Sequence, residues 1–252
     1  MKTPYMFLTV IAPGPDNPKQ NIDIYLQPLI KELKMLWRDG ILTYDVHTGQ
    51  NFCLRAALMW TISDFPAYSM LSGWSTHGKN ACPYCMSDSK AFYLRHNRNM
   101  CWFDCHRMFL PERHPFRRDR VNFMARVQEE GHAPPIRTGV ELLAELNMYG
   151  MKRVYEDGAR EYNDTYGPYT GGWKKRSVFW DLPYWETNMI RHCLDVMHIE
   201  KNFFDNIFNT VMRVEKGNKD HIAAYRDLQE LGIRSALHPV GNEIPMTSYS
   251  RL

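Results

Sequence analysis

The stretch "FCLRAALMWTISDFPAY", residues 52–68, is apolar up to Ile62 apart from Arg55 and Thr61, runs into Asp64 and meets a proline two residues later. An apolar run this short reads as a buried strand, although periodicity by itself does not separate it from a buried helix. Upstream, "NIDIYLQPLIKELKMLWRDG" (21–40) places Ile22, Leu26, Leu29, Leu33 and Leu36 on one face at helical spacing. Asn21 is positioned to cap that helix and Gly40 to stop it, while Pro28 lies inside. Before it, "YMFLTVIA" (5–12) ends at the turn cluster "PGPDNP" and reads as a buried strand. Strand, crossover helix and strand in that order predict an α/β sheet. Asp64 then sits just past the carboxyl end of a strand, where such folds keep their ligand chemistry.

At 252 residues and 44% hydrophobic content the chain can bury a core in one large domain or two small ones. A net charge of +3, with a pI near 8.5, permits nucleic-acid binding without demanding it. Six cysteines, at 53, 82, 85, 101, 105 and 193, cluster rather than spread, which favours a reducing compartment over a disulfide framework. The start, "MKTPYMFLTVIAPGP", imitates a signal peptide but carries Tyr and Thr in its apolar run and has no small-x-small cleavage site. No segment is long and apolar enough to span a membrane.

From 82 to about 120 the chain becomes rich in Cys, His and Arg and loses periodicity, as expected of an inserted module held by something other than an apolar core. "GVELLAELNMY" (139–149) reads as a short helix and 155–180 as a Gly- and Tyr-rich connection. "ETNMIRHCLDVMHIEKNFFDNIFNTVMRVEKG" (186–217) is the longest helical candidate, followed by "KDHIAAYRDLQELG" (219–232). The boundaries this gives are 1–80, 81–120, 121–180 and 181–252.

Cys82-x2-Cys85 is one half of a tetrahedral zinc site, and Cys101, Cys105, His106 and His114 are candidates for the other half. The competing reading is a pair of free buried thiols with solvated histidines. A lone Asp such as Asp64 before Phe-Pro is by itself more often a turn former than a metal ligand. On a continuous helix Asp195, His198, Asn202 and Asp205 share one stripe, suited either to a site or to a polar network in which Arg191 pairs with Asp195. Two basic clusters, "ERHPFRRDR" (112–120) and "GGWKKRSVFW" (171–180), mix cations with aromatics. That mixture suits phosphate contacts and stacking on DNA, and charge runs are also commonly solvated faces. The candidate DNA contacts are Arg113, Arg117, Arg118, Arg120, Lys174, Lys175 and Arg176.

"NIDIYLQPLIKELKMLW", "NFCLRAALMWTISDFPAYSMLSGWSTHGKNACPYC", "HRMFLPERHPFRRDR" and "RHCLDVMHIEKN", in that order, closely resemble the transposases of plant CACTA (En/Spm-type) DNA transposons. The resemblance implies an α/β, partial ribonuclease-H-like fold with a zinc-binding Cys/His-rich insertion and a helical C-terminal part. It implies Asp-Asp-Glu carboxylates holding two Mg²⁺ or Mn²⁺ ions for cleavage and strand transfer of transposon DNA. Asp64 matches the second catalytic Asp. Cys82 and Cys85 are paired with His106 and His114 as zinc ligands, and the Asp195-x2-His198 signature braces the site. The implied partners are transposon-end DNA and other transposase subunits, in the nucleus. Because the family's first Asp lies upstream of Met1 and its Glu downstream of this sequence, the chain alone is expected to be inactive. A non-enzymatic, zinc-stabilised module binding DNA or a partner is the alternative.

Overall fold

The amphipathic face at 22–36 forms helix α1 (Ile22–Arg38), which turns Leu26 and Ile30 inward. The protein is described here from a computed structural model, covering residues 8–102, 105–123, 128–156, 171–212, 214 and 221–243. Pro28 falls in the second turn of α1, where it removes one rung of the hydrogen-bond ladder, and the helix runs through it. Gly40, at φ 75°, closes the end by donating its N–H to the Met35 carbonyl.

The remaining elements are β1 (Ile41–Asp45), β2 (Gln50–Leu54), β3 (Thr61–Ser63), α2 (Phe65–Ser72), β4 (Phe92–Leu94), β5 (Asn99–Cys101), α3 (Pro115–Arg118), α4 (Gly139–Met148), β6 (His192–Leu194), α5 (Val196–Val211) and α6 (Ile222–Glu230). This is a mixed α/β architecture with six α-helices and three two-stranded sheets among the described residues. Two pairs are antiparallel hairpins, β1–β2 and β4–β5, and the third is the parallel pair β3–β6.

Three expectations are corrected. Residues 8–12 form no strand, and Leu8 and Ile11 are exposed; residues 5–7 lie outside the described part. The apolar run at 52–63 divides between the end of a solvent-facing hairpin and the three-residue β3. Asp45 folds that hairpin by accepting from His47 N and Thr48 Oγ1, and Gly49 supplies φ 68°. The 186–217 helix begins only at Val196, because 192–194 pair with β3 instead.

The chain divides into two units, Met1–Thr76 with Ile136–Asp195, and His77–Pro135 with Val196–Leu252. In the first, α1 packs Leu26 and Ile30 against Val178, Phe179, Leu182, Tyr184 and Trp185. The Phe179 and Trp185 rings stack at 5.1 Å. Residues 173–178 thread this core: Trp173 bridges to Trp74, Lys174 N donates to Gly73 O, and Ser177 Oγ donates to Leu71 O. Gly73 caps α2 at φ 81°, and a Cβ there would lie 2.5 Å from the Lys175 carbonyl oxygen. Gly73→Ala is therefore expected to cost more than ~1 kcal/mol, read as a lower urea midpoint. An unchanged midpoint would show that the 173–178 segment yields.

The second unit relies on polar latches as well as packing. The buried Arg117 guanidinium donates to the carbonyls of Met108 (2.9 Å), Leu110 (3.1 Å) and Gly131 (2.7 Å). Arg107 lies 4.2 Å over the Phe123 ring, and the buried Asp227 of α6 accepts from His96 N, Asn97 N and Asn97 Nδ2 in the β4–β5 turn. The Arg117 and Asp227 latches satisfy backbone groups that a loop-rich segment would otherwise leave unpaired.

Candidate functional site

Two arrangements carry chemistry, one in each unit. In the first, β3 and β6 run parallel in the register Thr61–His192, Ile62–Cys193, Ser63–Leu194. Both strands continue into an aspartate, and Asp195 N donates to Ser63 O at 2.8 Å. Parallel neighbours lie about 4.8 Å apart, so the backbones of Asp64 and Asp195 leave the same sheet edge side by side. Asp64 Oδ1 accepts from Ala67 N at 2.9 Å as the N-cap of α2, and Pro66 occupies the first turn. A capping carboxylate spends one oxygen's lone pair on the helix and retains further acceptor sites.

Behind this edge His192 is enclosed by Tyr68, Phe179 and Trp185, with its Nδ1 2.7 Å from Thr61 Oγ1. Burial, with Arg191 and then Lys175 adding to it, pushes the imidazole down to about 3. It is neutral and acts as packing. Arg191 does not follow the expected pairing with Asp195 through a helical turn; its guanidinium donates to the carbonyls of Asn188 and, at 3.2 Å, Arg137. Asp195 lies before α5, so the stripe expected to join it to His198, Asn202 and Asp205 is not continuous. His198, part-buried, and Asp205 are on α5, where Asp205 pairs with Lys201 at 2.7 Å.

In the second unit Cys82, Cys85 and His106 converge, their ligating atoms all within 4.8 Å of one another. The turn after Pro83 and Tyr84 brings Cys85 N to 3.4 Å from Cys82 Sγ, and Cys85 Sγ lies 3.8 Å from His106 Nε2. Burial, then the neighbouring Cys82, raises the Cys85 thiol to about 12, and burial lowers His106. In the absence of a metal both are neutral. His114, expected as the fourth ligand, instead caps α3, its Nδ1 accepting from Phe116 N at 3.2 Å. Cys101 pairs within β5 against β4, and the side chain of Cys105 lies outside the described residues.

The basic clusters are redistributed. Arg113, Arg118 and Arg120 are exposed. Arg117 and Lys175, expected among the DNA contacts, are buried, Arg117 in its carbonyl latch and Lys175 at 2% exposure. Lys175 Nζ pairs with Asp23 Oδ1 at 2.6 Å and donates to Gln20 O at 2.8 Å. Arg176 donates to Asn147 Oδ1, and Lys174 is part-buried. The phosphate-accessible charge of the second cluster is thus much reduced.

The strand-end acid, the Cys-x2-Cys knuckle and the Arg-rich block all fall in residues 1–148, the part matched by Transposase family tnp2. The chain belongs to that transposase family. Asp195, His198 and the 171–180 cluster lie beyond the matched part of this tnp2 transposase. No curated protein and no solved structure matches the chain. No helix among the described residues is long and apolar enough to cross a membrane.

Proposed function

We propose that this tnp2-family transposase acts through a ribonuclease-H-like catalytic centre of the DDE type, in a CACTA (En/Spm-type) element of a plant nucleus. The observation that carries the reading is the β3–β6 register, which sets Asp64 and Asp195 at one parallel-strand edge. Adjacent carboxylates on strand ends are the donor set that Mg²⁺ or Mn²⁺ takes, and when bound these ions activate an attacking oxygen and stabilise the leaving one. In this reading Asp64 contributes a metal-facing carboxylate while capping α2, which fixes its direction. Asp195 becomes its neighbour, a closer role than bracing. Among the described residues no group of three convergent ligating side chains includes Asp64. A third acid is therefore required before DNA is cut.

The Cys82, Cys85 and His106 donor set fits a structural zinc. Two cysteine sulfurs, which bind zinc as thiolates, and the imidazole of His106, which burial holds neutral, supply the ligands in a segment whose latches are polar. The exposed Arg113, Arg118 and Arg120 are the duplex-phosphate contacts of the same unit.

Iron-directed hydroxyl-radical cleavage tests the acid pair, because Fe²⁺ occupying a Mg²⁺ site cuts the backbone beside its ligands. Cuts are expected near both residue 64 and residue 195 and are expected to disappear together in Asp64→Ala. Cutting near 195 that persists in that variant, or its absence from the wild-type chain, would sink the paired-acid reading.

A further inference from the structure

The C-terminal half of α1, residues 55–57 and residues 181–183 enclose an open groove of about 840 Å³ within the first unit. Its walls carry Lys34, Arg38 and Arg55, with Trp37 and Pro183 between them. Trp37 packs against Tyr184 with ring centroids 4.6 Å apart, yet 45% of its surface stays exposed. Tyr184 is itself held by its hydroxyl, which accepts from Leu58 N at 2.9 Å, so the indole rests on a fixed support. The indole is thus a preformed aromatic platform beside three cations.

The charges are partly committed. Asp181 is taken by Arg153 and by the Tyr155 hydroxyl, with Lys34 Nζ at 3.7 Å. Arg38 pairs with Asp39 in full solvent at 2.8 Å, an exposed bridge of small net value that a phosphate can displace. Arg55 donates to the Trp37 carbonyl at 3.4 Å, a long contact that leaves the rest of its fork available. Cations alternating with a supported aromatic face match a polyanion that also presents flat rings.

We propose that this groove binds single-stranded DNA, with one base stacked on Trp37 and flanking phosphates on Lys34, Arg38 and Arg55. Unpaired bases are required, because in a duplex the ring faces are covered by their neighbours. The proposal rests on the reading of the chain as a DNA-handling transposase, and it adds a strand-tracking surface apart from the Arg113–Arg120 block.

Fluorescence anisotropy with a labelled oligothymidine and a labelled duplex tests it on the full chain. Arg55→Glu and Trp37→Ala are each expected to weaken oligothymidine binding about tenfold or more while leaving duplex affinity unchanged. Arg55→Glu should also flatten the salt dependence by about 0.7 per lost phosphate contact. Trp37→Phe is expected to retain most of the affinity, which separates stacking from a loss of fold. If both variants bind oligothymidine as the wild type does, while Arg118→Glu still lowers duplex binding, the groove proposal falls and the DNA-handling reading stands. If the wild type binds neither probe, both fall. Competition by polyglutamate equal to that by unlabelled oligothymidine would overturn the assignment in favour of an acidic peptide.

Discussion

Replacing Lys175 with methionine is expected to destabilise the first unit by about 3–5 kcal/mol, because it leaves the fully buried Asp23 without its counter-charge. Asp23 sits on the inner face of α1, and its Oδ2 accepts from Val178 N at 3.1 Å, so the pair ties α1 to the segment threading the core. The pair itself is costly. Burial is the leading influence on both partners, pushing the Asp23 carboxyl up to about 6 and the Lys175 ammonium below its ordinary value. Asp23→Leu combined with Lys175→Met should recover only part of the loss, since Val178 N and Gln20 O would lose their partners. Because the folded chain holds the Asp23 proton more tightly than the unfolded chain, this group's contribution is present below about pH 4 and lost as pH rises through about 6. Urea midpoints at pH 4 and pH 7 should therefore differ between wild type and Asp23→Asn; identical pH profiles would refute the linkage.

Zinc is the second lever. The purified chain is expected to hold about one zinc ion, and Cys85→Ser to lose it, along with the protease resistance of residues 78–120. Structural zinc in small modules contributes on the order of 10 kcal/mol, far more than the latches in this unit. Cobalt substitution gives the readout, as thiolate charge-transfer bands from Cys82 and Cys85 that fade when pH falls and the thiolates take up protons. His114→Ala should keep those bands and loosen only α3. If it abolishes them as Cys85→Ser does, His114 is a ligand and its cap on α3 must open when metal binds.

What could be read in the sequence was local. The spacing of Leu26, Leu29 and Leu33 marked α1, and Thr138 ahead of Glu141 forms the capping box that starts α4. The knuckle at Cys82–Cys85 was visible because two thiols and a turn lie within four residues. The burial of Lys175 runs against the composition of "WKKRSVF", which matches a DNA-contacting cluster of cations and aromatics. The signal is an alternation over Trp173, Lys175 and Ser177, buried at period two, which ends where Val178 and Phe179 are both buried in a 3-10 turn. The neighbourhood of Asp64 and Asp195 was out of reach: it depends on a pairing between residues 131 positions apart, for which neither segment carries a local mark. The same pairing removed 192–194 from what hydrophobic spacing made look like one long helix. In the sequence of α1 Trp37 looks like one more apolar residue, and its 45% exposure beside Arg55 distinguishes it from the buried Leu26 and Ile30.

The parallel pairing of β3 with β6 also sets an order of events during synthesis. Thr61 leaves the ribosome long before His192, and the whole stretch His77–Pro135 emerges between them. Closing so long a loop costs chain entropy that grows slowly with length, and the wait for the second strand is imposed by translation itself. The Cys/His knuckle, whose ligands span only 82–106, can close first. The knuckle can thus close before β3 and β6 set Asp64 beside Asp195, whereas the Asp227 latch onto the β4–β5 turn can form only after both strands have emerged.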